Sequence, residues 1–420
     1  MSFKFTGFCF NQSKFFSITT FLSLILLIPL KAQVIEIEFG NIKELSEQYS
    51  LQWQQFHNQL EYSSYGERAL ITRFNPSIAY DLEFLDDGSQ SEYEQNLYLQ
   101  KEFRTPFHYR NLRERRDSRI QLLDYQAESE RNEWLAATRL GFIRILLGQR
   151  EVEILKNLKT RIDRLSDASM RRTETGEASP IDDQLLQMSN YQIQSRIEER
   201  RIEVDRLTLL WLNRMGLDEH ADISFTGEFE ELTVQIPDQA TLFDFLGQSP
   251  QSRTYQQAVD AAALEESVAR SNRLPSFELS AGYKQLNPDW RGFLIGISLP
   301  LPLLSSNTES ISQARSLQRI EQANLDFARS ERTQFTFQLL GELDSYEQKL
   351  NQFPEHLINQ DQFLNRLILS YEEGTLSVSD FLSTLNLIAD TYQTRFNQLA
   401  NYFGIVSELE ALTGQEFISQ

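Results

Sequence analysis

RLPSFELSAGYKQLNPDWRGFLIGISLPLPLL, from Arg273 to Leu304, alternates apolar with small or polar side chains on both sides of a turn rich in Asn, Pro and Gly. Phe277, Leu279, Ala281 and Tyr283 fall on one face and Glu278, Ser280, Gly282 and Lys284 on the other. Phe293, Ile295, Ile297 and Leu299 resume the pattern after the turn. Period two with one apolar face marks strands, and it suits a wall between lipid and a wet lumen. A half-buried soluble sheet carries the same pattern. The rest of the chain has to decide between them.

Working outward, the chain repeats itself. Asn75-Pro76-Ser77-Ile78, followed by alternation to Phe84, matches Leu274-Pro275-Ser276-Phe277, followed by alternation to Tyr283, at an offset of 199 residues. Phe103-Arg104-Thr105-Pro106-Phe107 matches Leu299-Pro300-Leu301-Pro302-Leu303 at an offset of 196. Thr175-Gly176-Glu177-Ala178-Ser179 with Asp182 matches Glu373-Gly374-Thr375-Leu376-Ser377 with Asp380 at an offset of 198. In the first hairpin Ile78, Tyr80, Leu82 and Phe84 oppose Asp81 and Glu83, and Tyr93, Leu97 and Leu99 oppose Glu94, Asn96 and Gln100. An internal duplication of one supersecondary unit accounts for all three anchors.

Each half reads helix, strand, strand, very long helix, tight turn, helix. Phe107 to Arg172 has no proline, and Leu155, Leu158, Ile162 and Leu165 step by three and four like a coiled-coil seam. A helix of that length is a rod of roughly 100 Å. The second half repeats it from about Asn307 to Glu372, with Leu357, Leu364, Leu367 and Tyr371 on one stripe, and Pro354 is expected to interrupt and bend it. Heptads alone fit a periplasmic coiled-coil scaffold without a pore. The paired strand hairpins weigh against it.

The N-terminus reads as a secretory signal peptide over residues 1–32. Lys4 and Lys14 precede an apolar run from Phe15 to Leu30, and cleavage is expected after Ala32. Its removal takes Lys4, Lys14 and Lys31 and no acid, moving the net charge from −20 to −23. Such a chain does not bind nucleic acid. Cys9, the single cysteine, lies inside the signal, so no disulfide or thiolate ligand is expected. His57, His108, His220 and His356 are not at ligand spacing. Neither a metal site, a cofactor, a phosphate loop nor a nucleophile motif is expected, and the chain reads as no enzyme.

After Ala32 no window is apolar over the roughly 20 residues a spanning helix needs. A place in a membrane would therefore rest on strands. Four strands cannot close a barrel, and open edges in hydrocarbon leave backbone groups unpaired. Two copies would give eight strands, nearly filled by side chains, and three would give twelve and a channel.

The strand signatures Pro275, Ser276, Tyr283 and Gly296, Leu299, Pro300, Leu301, Pro302, with the Y-x-x-G-x-x-S-x-x-D-F-L run from Tyr371 to Leu382, resemble the TolC family of outer membrane efflux proteins. The resemblance covers essentially the whole mature chain. It implies a mainly α fold with a small β part: a duplicated helix-strand-strand-helix repeat, long coiled-coil helical hairpins and four transmembrane strands per chain, assembled as a trimeric α/β barrel. It also implies an exit duct in outer membrane lipid that extends into the periplasm and meets a periplasmic adaptor (membrane fusion protein) and an inner-membrane pump. A pump of the resistance-nodulation-division type, with metal cations as cargo, and a type I secretion system are the two settings it leaves open. The first repeat spans 33–225, with strands near 75–85 and 92–104 and a tip at 175–179. An equatorial linker spans 226–248. The second repeat spans 249–420, with strands near 275–285 and 292–302 and a tip at 373–377.

Family tips meet the adaptor, which implicates Gly176, Ser179, Tyr371, Gly374, Leu376 and Ser377. Gly176 and Gly374 suit left-handed turns. A pair of aspartates can guard the family's channel entrance. Asp380 matches the first and Ser383 replaces the second, with Asp182 as the repeat counterpart that could complete an acidic ring. Both acids equally suit the first turn of a helix. Leu376 stands where the family has a tip arginine, which removes that source of a hydrogen-bonded lock.

Overall fold

The architecture is that of a computed structural model, which describes residues 35–71, 73–86, 91–174, 176, 179–218, 223–227, 229–273, 276–286, 290–300, 307–354, 357 and 360–419. The signal segment 1–32, Thr175, Glu177 and Ala178 of the first tip, His220, His356, Pro275, Leu301 and Pro302 lie outside the described residues.

The first half runs β1 (Ile35–Ile37), α1 (Ile42–Tyr49), α2 (Leu51–Ala69), β2 (Ser77–Asp86), β3 (Ser91–Phe103), α3 (Pro106–Glu174) and α4 (Pro180–Met215). β4 (Ile223–Phe225), β5 (Thr233–Val234) and α5 (Gln239–Gln248) link it to the second half. That half runs α6 (Pro250–Ser271), β6 (Phe277–Leu286), β7 (Trp290–Ser298), α7 (Thr308–Asn351), α8 (Gln360–Glu372), α9 (Val378–Thr413) and β8 (Ile418–Ser419).

α3 holds 69 residues because its only proline is Pro106, at the first helical position where no N–H is needed. Leu155, Leu158, Ile162 and Leu165 are buried, facing buried Leu186, Ile193 and Ile197 of α4. Ser179 caps α4, its Oγ accepting from Ile181 N at 3.2 Å, and Pro180 follows at the first turn.

The second half does not repeat this rod. Pro354 interrupts the second long helix as expected: α7 ends at Asn351, and helix is described again at Leu357 and from Gln360 in α8. Proline lacks the N–H and clashes with the carbonyl four residues back. Packing holds the break. The Phe353 ring lies 5.6 Å from Tyr392, the Arg395 guanidinium sits 4.0 Å over Phe353, and the Tyr392 hydroxyl donates to the Leu357 carbonyl.

The linker ties the chain ends down. β4 pairs parallel with β1, and β5 antiparallel with β8. Beside them Arg139, buried in α3, donates to Ile418 O at 2.7 Å and faces Glu410 at 3.7 Å and Glu416 at 3.3 Å. Glu410 Oε1 accepts from Phe417 N and Ile418 N, at 2.6 and 2.8 Å. Burial pushes the Glu410 carboxyl up, and Arg139 and the two amides oppose that shift.

The four long strands form one antiparallel sheet in the order β2-β3-β6-β7, so β3 and β6 join the two halves. Below it α2 packs on α3, α3 on α6 and α6 on α7, the same order as the strands. β7 stops at Ser298, short of the expected 302. Pro300 follows, which cannot donate to a ladder.

Candidate channel wall and entrance

Register fixes what each face of the sheet presents. Ile78 lies opposite Leu99, Leu99 opposite Ala281 and Ala281 opposite Ile295, one row across all four strands. The neighbouring row is Tyr80, Leu97, Tyr283 and Phe293. This continuous apolar face is open, with Phe293 91% and Ile295 86% exposed. Soluble proteins rarely expose so large a contiguous apolar patch.

The opposite face carries the rows Asp81, Asn96, Lys284, Gly292 and Ala79, Tyr98, Gly282, Leu294. The Tyr98 hydroxyl donates to Asp81, and Lys284 bonds Glu94, which also accepts from Asn96 at 2.9 Å. Gly282 is required by this arrangement. A Cβ there would meet Leu97 O and the Tyr98 Cβ, both at 2.4 Å, because Tyr98 lies beside it on the neighbouring strand. Both edges, β2 and β7, are without a partner strand among the described residues.

At the far end of the helices two turns match. Gly176 and Gly374 both adopt left-handed φ, +70° and +73°. Gly374 N bonds Tyr371 O at 2.9 Å, and Thr375 N and Leu376 N bond Ser370 O. Ser377 starts α9, accepting from Asp380 N at 3.1 Å and donating back to Asp380 Oδ2 at 2.7 Å. That bond ties the Asp380 carboxylate to its own helix start. Asp182 is half-buried in the first turn of α4, its N–H donating to Ser179 O at 2.9 Å. No hydrogen bond or ion pair joins Asp182 to Asp380 among the described residues.

Sequence reasoning named Tyr371 at the tip but missed the arginine that joins it to the first hairpin. Arg172, near the end of α3, donates to Tyr371 O at 3.2 Å and lies 5.4 Å over the Tyr371 ring. Tyr371 is 3% exposed, and no partner meets its hydroxyl among the described residues. Higher up, Arg161 bonds Asn365 at 2.7 Å and Arg196 pairs with Asp390 at 2.8 Å. An arginine thus does hold the tip, but from the other hairpin, while Leu376 packs against the core. No local signal reveals such pairs, because the partners lie about two hundred residues apart.

Between α3 and α4, Glu151 pairs with Arg200 at 2.8 Å. Burial raises the Glu151 carboxyl, opposed by the Arg200 charge. At the junction with the sheet, the Ser271 Oγ donates to Val268 O at 2.7 Å, so its lone pair accepts from His108 Nδ1 at 2.8 Å. Nε2 then accepts from Arg104 at 3.0 Å. Burial, with the Arg104 charge beside it, pushes the His108 pKa down. No helix is long and apolar enough to cross a membrane, and no cluster that could hold a metal occurs, among the described residues.

This is the fold of solved outer membrane channels. A membrane protein from Pseudomonas aeruginosa aligns with a TM-score of 0.73 at 13% identity, over 91% of this chain and 95% of its own. The outer membrane protein VceC from Vibrio cholerae gives 0.71 at 12% identity, over 90% and 96%. The CmeC outer membrane channel of Campylobacter jejuni gives 0.71 at 12% identity, over 90% and 85%. No family model and no curated protein sequence matches the chain.

Proposed function

We propose that this chain is a subunit of a TolC-type outer membrane channel, the passive exit duct of a tripartite efflux system. The observation that carries the reading is the four-stranded sheet, open at both edges, with an exposed apolar face backed by a hydrogen-bonded polar face. Open edges in hydrocarbon require partner strands. Three copies supply twelve strands around a water-filled lumen, with α3, α4 and α7 to α9 extending it through the periplasm. The similar solved outer membrane channels support the location.

In this reading the turns at Gly176 and Gly374, with Ser179 and Ser377, meet a periplasmic adaptor, whereas Tyr371 and Leu376, expected at that surface, pack into the core and hold the turn from within. The adaptor links the duct to an inner-membrane pump of the resistance-nodulation-division type, with metal cations as the cargo class. Asp182 and Asp380 line the entrance, where acids around an axis attract cations.

Detergent extracts of outer membranes should contain a heat-sensitive oligomer that conducts ions in planar bilayers. A soluble periplasmic monomer would overturn the proposal in favour of a scaffold. Replacing both acids, D182N with D380N, should weaken multivalent-cation block of the open pore. Unchanged block would leave both acids as helix-start residues only.

A further inference from the structure

At the helix end of the sheet the apolar face changes character. Lys101 and Phe103 continue the row positions of Leu97 and Leu99, so both stand on the apolar side, with Lys101 opposite Leu279 and Phe103 opposite Phe277. The Phe103 and Phe277 rings stack at 5.5 Å, and Lys101 Nζ lies 5.4 Å over Phe103. Just beyond, the Arg104 guanidinium lies 5.1 Å over Phe74, and that of Arg73 lies 6.0 Å over Tyr109. Exposed Arg113 lies about two helical turns into α3 from Pro106, and exposed Arg273 precedes Phe277 by four residues.

The chain as a whole carries a charge of −20, yet none of these five cations pairs with a carboxylate among the described residues. Arginines deeper in the helices do pair, as Arg115 does with Glu265 and Arg196 with Asp390. Cations held beside aromatic rings at the edge of an apolar band have the chemistry of a lipid interface. Rings sit at the headgroup level, and long basic side chains reach from it to phosphate.

We propose that Arg73, Lys101, Arg104, Arg113 and Arg273 form a collar that binds the headgroup phosphates of anionic phospholipids in the periplasm-facing leaflet. The inference rests on the membrane reading of the sheet. The collar concentrates anionic lipid around the channel and fixes its depth in the membrane. Each such cation near an anionic surface changes partition by about fivefold.

The test uses the full channel in lipid vesicles, with F277W adding a fluorescent reporter on the rim. Brominated phosphatidylglycerol should quench the emission that F277W adds at a several-fold lower mole fraction than brominated phosphatidylcholine. Adding R73Q, K101Q and R113Q, which spares the Arg104 bond to His108, should bring the two lipids to parity. Equal quenching before those substitutions, or an undiminished preference after them, overturns the collar while leaving the channel reading intact. Competition by inorganic phosphate as strong as that by phosphatidylglycerol would also overturn it, in favour of a free-anion site. Quenching by neither lipid would place the sheet outside lipid, and the membrane reading would fall with the collar.

Discussion

The two halves of this duplicated chain differ most in their long helices. α3 is one unbroken rod of 69 residues, whereas its counterpart is split into α7 and α8 around Pro354. α3 is packed on α2, α4, α6 and α9, so it forms the spine of the protein. The second half gives up helix hydrogen bonds at the break, but Phe353, Tyr392, Arg395 and Leu357 fill it with ring and hydrogen-bond contacts. One ancestral unit has thus become a continuous spine and a jointed arm. The joint lies on the hairpin whose tip Arg172 holds.

The largest effect should come from the spine. Phe142 is fully buried against Phe39, Trp211 and Phe225, so Phe142→Ala should lower stability by about 3–5 kcal/mol in denaturant titration. A loss below about 1 kcal/mol would deny α3 that role. At the joint, Tyr392→Phe removes the donor to the Leu357 carbonyl and should cost about 1–2 kcal/mol. Faster amide exchange confined to α8 is the expected signature, and equal acceleration in α3 would erase the contrast between spine and arm.

The tips test where the halves remain alike. Gly176→Ala and Gly374→Ala each place a side chain at left-handed φ with nothing among the described residues, chain neighbours aside, within 4 Å of the new Cβ, so each should cost about 1–2 kcal/mol from backbone strain. A several-fold larger loss for one would mean that the tips are not equivalent.

The smallest effect separates the two sheet junctions by pH. His108 holds the first, while the second is held by Asn307, whose side chain donates to Ala269 O at 2.7 Å and does not titrate in this range. Because folding depresses the His108 pKa below 6.5, its contribution is present above that value and is lost as pH falls through the folded pKa. Melting temperature should therefore decline below about pH 6.5, by a stability change of less than about 1 kcal/mol, and His108→Gln should remove that component. An unchanged acid slope in the variant would assign the decline to other groups.

How much could be read beforehand follows from the range of each interaction. The strand faces were legible at Phe277 to Tyr283 and Phe293 to Ile297 because a period of two is local. The seam at Leu155 to Leu165 was legible for the same reason. Gly176 and Gly374 announced left-handed turns because few other residues accept them. The break at Pro354 was visible as a proline, but its extent was not, since that depends on what Tyr392 and Arg395 pack against. Arg172 on Tyr371, Arg139 at Ile418 and His108 on Ser271 gave no sign, each partner being more than 150 residues away.

By itself the sequence determined the periods of strand and helix and the turns, which arise from neighbours within a few residues, and the duplication and overall acidity, which need only comparison and counting along the chain. Only the tertiary structure decided that β3 pairs with β6, that Lys101 stands opposite Leu279 beside the stacked rings of Phe103 and Phe277, and that an arginine from the first hairpin holds the second. Those outcomes depend on register and on contacts between distant segments, which side-chain periodicity alone does not encode.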